Sequence, residues 1–124
     1  MRKNFLILVV FFVSLNSFYA QETAAIASVA TKASAMEVKT SGKFNITLPS
    51  VLVKEDVEKS ASYYLHDFTV NFDDKTKVAE VTMVNNDERS RKIIVRFLSA
   101  CGVQQINVEG TMVDLYPFYE NYLK

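Results

Sequence analysis

Few residues of this chain could do covalent or ligand chemistry: it has one cysteine, one histidine and four methionines. Cys101, His66, Met36, Met83 and Met112 are the possible soft or borderline ligands for a cation such as copper or zinc. No two of them stand at a metal-site spacing, so a site built from Cys101, His66 and Met83 would need convergence in space. A Cys–His nucleophilic pair would require Cys101 and His66 to meet. The pattern instead puts Cys101 on the apolar face of a helix and His66 at a helix-to-strand junction. A thiol in that position packs as a small hydrophobe; the alternative is an accessible, redox-active thiol. No G-x-S-x-G elbow occurs. Asp73-Asp74 resembles part of a calcium loop but lacks the EF-hand spacing and its closing glutamate, so a solvated turn is expected. With no glycine-rich phosphate loop either, the residue types predict no enzyme.

Two features suit binding better than catalysis. Arg89, Lys92 and Arg96 fall at helical spacing, a basic stripe that could receive an acidic partner or simply face solvent. The segment from Gly110 to Lys124 is rich in aromatics, and Tyr116, Phe118 and Tyr119 are candidates for a docking surface or for packing across the domain.

The elements that must position these residues are legible from punctuation and periodicity. Arg2 and Lys3, an apolar run over 5–13 and a small residue at Ala20 give the pattern of a secretory signal peptide over 1–20. The run is short for a bilayer span, and an uncleaved anchor is the rival reading. Cleavage leaves 104 residues with 12 basic and 14 acidic side chains, so no excess of positive charge points to nucleic acid. The expected protein is exported, periplasmic or secreted, with no membrane span after cleavage and an unidentified protein partner. Its lone cysteine excludes an intramolecular disulfide.

Residues 21–42 read as an Ala/Ser/Thr-rich spacer, flexible or loosely helical. Alternation over Lys43–Leu48 predicts a strand, stopped by Pro49. Val53, Val57, Ala61 and Leu65 predict one side of a helix over roughly 53–65. Two alternating runs about Asp73–Thr76 predict a hairpin. Asn86 or Asp87 then caps a second helix, which Gly102 ends, and Gln104–Val108 is the last strand. Strand, helix, strand, strand, helix, strand over 43–110 predicts a ferredoxin-like βαββαβ α+β sandwich: an antiparallel four-stranded sheet with both helices on one face, followed by an aromatic tail over 111–124.

Val57-Glu58-Lys59, Val70-Asn71-Phe72-Asp73, Lys77-Val78-Ala79-Glu80-Val81 and Ala100-Cys101-Gly102-Val103 give a chain that resembles the heavy-metal-associated domain, the family of copper chaperones and metal-pump modules. The likeness runs from about Leu48 to Val103 and implies a soft-metal loop, Met-x-Cys-x-x-Cys, before the first helix. Counted back from Val57, the cysteine positions are Ser50 and Val53 and the methionine position is Leu48. Serine offers a hard oxygen and valine no donor, so neither replaces a thiolate. The resulting expectation is a non-catalytic binding module on a degenerate metal-carrier-like scaffold, without a cofactor. The alternative is a copper- or zinc-binding or delivery protein using other ligands.

Overall fold

The computed structural model describes residues 26–124, so the expected signal peptide lies outside the described residues. Alternation sets the strands. In β2 (Lys43–Thr47) Phe44 and Ile46 point inward while Lys43, Asn45 and Thr47 face solvent. β3 (Phe68–Asp73) and β4 (Val78–Met83) form an antiparallel hairpin whose register runs unbroken from Phe68–Met83 to Asp73–Val78. β4 also pairs with β2, which places Phe44 beside Val81 and Ile46 beside Ala79.

The sheet then departs from expectation. Ile26–Val29, inside the presumed spacer, forms β1, a central strand antiparallel to β2 and parallel to β5 (Gln105–Val108). β6 (Thr111–Asp114), inside the presumed tail, pairs antiparallel with β5. The strand order is β3-β4-β2-β1-β5-β6. The expected four-stranded antiparallel ferredoxin-like sheet is therefore overturned: among the described residues the sheet has six strands and one parallel pairing. β1 takes the place next to β2 that the ferredoxin-like arrangement would give to β5. Small Ala27 and Val29, 1% and 6% exposed, fit beneath the helices there, so burial by neighbours makes this strand, not its own propensity. β6 is made by a two-residue turn, Glu109-Gly110. Their φ values of 51° and 90° give the left-handed backbone that matches strand twist, and Asn107 Oδ1 accepts the Gly110 N–H at 2.8 Å.

The inward sheet face is covered by short helical pieces. α1 (Lys32–Met36) starts at a reciprocal cap between Thr31 and Ser34, and α2 (Val38–Ser41) ends at Gly42 with φ 72°. α3 (Lys54–Ala61) continues as a tight 3₁₀ turn over Ser62–Tyr64. It is shorter than its apolar spacing suggests: Val57 and Ala61 are buried, whereas Val53 and Leu65 are exposed. α4 (Glu88–Ala100) is capped by Asp87, whose carboxylate accepts the Ser90 N–H at 2.7 Å. α5 (Leu115–Phe118) and a π-helical turn (Tyr119–Leu123) close the layer. One core results, in which the Phe68, Phe97 and Tyr64 rings pack edge-on or stacked, and Phe118 lies 6.0 Å from Phe44. The opposite sheet face carries Asn45, Thr47, Thr69 and Asn71, all exposed.

Candidate binding cleft

α4 presents two sides because its apolar residues recur at helical spacing. Ile94, Phe97 and Leu98 are fully buried, which turns Arg89, Lys92 and Arg96 outward. The C-terminal turns sit beside that outward side because Phe118 and Leu123, both at 0% exposure, are sunk in the core and anchor them. Tyr116 and Tyr119 are thereby brought alongside α4. Lys92, Val95, Arg96, Tyr116 and Tyr119 line a cleft of about 80 Å³.

Its chemistry is that of cations on aromatic walls. Lys92 Nζ lies 5.6 Å from the Tyr119 ring centroid and 6.0 Å from that of Tyr116, within range of the ring quadrupole. The two rings are 6.4 Å apart and tilted. The Tyr119 hydroxyl donates to Glu88 Oε1 at 3.1 Å, and burial followed by that bond raises its pKa. The Glu120 carboxylate beside Tyr116 raises the pKa of that phenol, and Glu120 pairs with Lys124 at 3.4 Å. Glu88 thus holds Tyr119. Among the described residues no carboxylate forms an ion pair with Lys92 or Arg96. Tyr116 stays 61% exposed, enough to meet a partner. Arg89 is one turn away, outside the cleft lining. Phe118, grouped with the tyrosines in the sequence, is core and offers no surface.

The possible metal ligands are scattered. Cys101 is 8% exposed at the end of α4, His66 is exposed before β3, and Met83 is half-buried on β4 against the core. Among the described residues no three of His, Cys, Asp and Glu gather as a cation would require. Ser50 and Val53 are both exposed in the loop before α3. That loop is held by Lys77, whose ammonium donates to the Leu52 carbonyl and to Asp74, each at 2.8 Å. Cys101 lies at the base of a groove with Leu52, Asp56, Lys59, Ser60 and Tyr63. Burial pushes its thiol up to about 11, so the nucleophilic thiolate is scarce at neutral pH.

One residue escaped the sequence reading. Arg91 is buried, 9% exposed, and its guanidinium donates to the carbonyls of Leu123 at 2.7 Å and Asn86 at 3.0 Å and to the Asn86 side chain at 3.0 Å. Asn86 in turn donates to the carbonyls of Val38 and Lys39. This chain ties α2, α4 and the C-terminal turn together, and so fixes Tyr119 against α4. An arginine between Ser90 and Lys92 reads as solvated in sequence, with only its place next to the apolar stripe as a hint. Among the described residues no helix is long and apolar enough to cross a membrane. Comparisons with protein-family models, curated proteins and solved structures found no match.

Proposed function

We propose that this protein is an exported, non-catalytic binding module that holds an acidic segment of a partner protein in the cleft between α4 and the C-terminal turns. The observation that carries this reading is Lys92 over two tyrosine rings, one of them exposed, with Arg96 in the same cleft lining and, among the described residues, no carboxylate in an ion pair with either cation. Cations so placed attract carboxylates over distance, while tyrosine supplies contact area at low entropic cost. The cleft is narrow, about 80 Å³, which favours a single extended chain over a sheet of anionic headgroups.

A fluorescein-labelled peptide of alternating glutamate and leucine is the probe. Fluorescence anisotropy should show binding at low salt that weakens as salt rises. Lys92→Glu with Arg96→Glu should lower affinity at least about tenfold, the scale expected when close charge pairs turn repulsive. Equal affinity in the folded double variant, or no binding by the native protein, contradicts the proposal.

A further inference from the structure

The second surface with unspent bonding capacity is the outer edge of β3, far from the cleft in strand order. The β3–β4 register shows which backbone groups are free. Val84 N–H donates to the Asp67 carbonyl at 3.0 Å, so the Asp67 carbonyl faces β4, while its N–H turns to Tyr64. Alternation then gives Thr69, Asn71 and Asp73 their bonds to β4, and turns the N–H and C=O groups of Phe68, Val70 and Phe72 outward. Among the described residues no strand pairs with that edge.

Edges of soluble proteins are usually blunted by lysine, proline, a bulge or short length. From Phe68 to Phe72 this strand has no charge, proline or glycine, and its register with β4 is continuous. The other edge differs: β6 has four residues, ends in Asp114 and runs straight into α5. By the same alternation only Met112 and Asp114 of β6 point outward, since Val108–Thr111 closes a two-residue hairpin.

We infer that β3 pairs antiparallel with β3 of a second copy about a two-fold axis at Val70, joining two six-stranded sheets into one. The edge is self-complementary in this register. Val70 faces Val70 of the other copy, and Phe68 faces its Phe72, so all three outward residues on each side exchange both backbone bonds. Such an interface is isologous and closes on itself. Val70, only half-buried within one copy, gains an apolar neighbour on the helix side. Thr69 and Asn71, exposed on the open face, stand opposite each other across the axis. No charge lies between Phe68 and Phe72; at the ends Asp73 of one copy stands opposite Asp67 of the other, a repulsion that salt screens, so the association persists or tightens at high salt, unlike peptide binding in the cleft. The inference does not rest on the cleft.

Sedimentation velocity of the full-length protein tests it, with three variants. Val70→Lys places a charge at the axis and Val70→Pro removes an outward N–H, while neither breaks the β3–β4 ladder. The native protein should sediment as a dimer at both low and high salt. Both variants, shown folded by circular dichroism, should sediment as monomers. Val70→Cys should form a dimer-sized disulfide on oxidation, since facing residues in a hydrogen-bonded pair stand about 5.5 Å apart at Cα. A monomeric native protein, or a dimer unchanged in the folded lysine and proline variants, overturns the inference, as does failure of Val70→Cys to cross-link.

Discussion

At the scale of residues, two buried polar groups set the account's sharpest expectations. Arg91 is a buried cation held by oxygens of Leu123, Asn86 and Lys124, the first and last of them at the end of the C-terminal turn, where negative potential gathers. Removing it orphans the Leu123 and Asn86 acceptors, so Arg91→Ala should destabilise the fold by about 2–4 kcal/mol in denaturant unfolding. It should also loosen Tyr119 from α4 and weaken peptide binding without altering any lining residue. Cys101 is governed by burial. In the unfolded chain the thiol ionises near 9, and in the folded protein only near 11. Between those values the unfolded state has lost a proton that the native state keeps. Its contribution to stability is therefore fully present below about pH 9 and is lost as pH rises toward 11. Thermal unfolding of Cys101→Ser against the native protein through this window checks the sign, with the serine variant showing the smaller alkaline loss. Reaction with a maleimide at pH 7 should be slow until the protein is unfolded.

At the scale of elements, what the sequence made legible was what carries its own period. β2, β3 and β4 alternate, and α4 has a wide apolar stripe between Asp87 and Gly102, so local pattern and tertiary position agree. β1 has four residues in an alanine-rich run, where the same composition suits a helix or a spacer. Only the gap between β2 and β5 makes it a strand. β6 lacks alternation altogether, because three of its four residues are exposed, and its position follows from the turn at Gly110. The ferredoxin-like expectation fails because β1 stands between β2 and β5 and β6 extends the sheet beyond β5. In β1, Ala27→Glu buries an unpaired charge at 1% exposure in the middle of the sheet and should abolish cooperative unfolding. Asp87→Ala removes the α4 cap and should lower the melting temperature, with the Ser90 amide exchanging faster.

At the scale of the whole molecule, one layer of helices on one face of a sheet leaves two kinds of surface. The helix side carries the cleft, and the sheet contributes a polar face and a neutral edge. Lys92, Arg96, Tyr116 and Tyr119 were each legible as candidates, but their meeting was not. It depends on Phe118 and Leu123 anchoring the last turns, a long-range packing event that no local pattern encodes. Phe118→Ala should accordingly cost about 3–5 kcal/mol and release the tyrosines from the basic stripe. The most direct test of the account is amide chemical-shift mapping of the ¹⁵N-labelled protein titrated with the glutamate–leucine peptide. Shifts should be confined to α4 around Lys92–Arg96 and to Tyr116–Leu123. Shifts on the open sheet face or at the loop around Ser50 and Val53, with α4 unmoved, would contradict it.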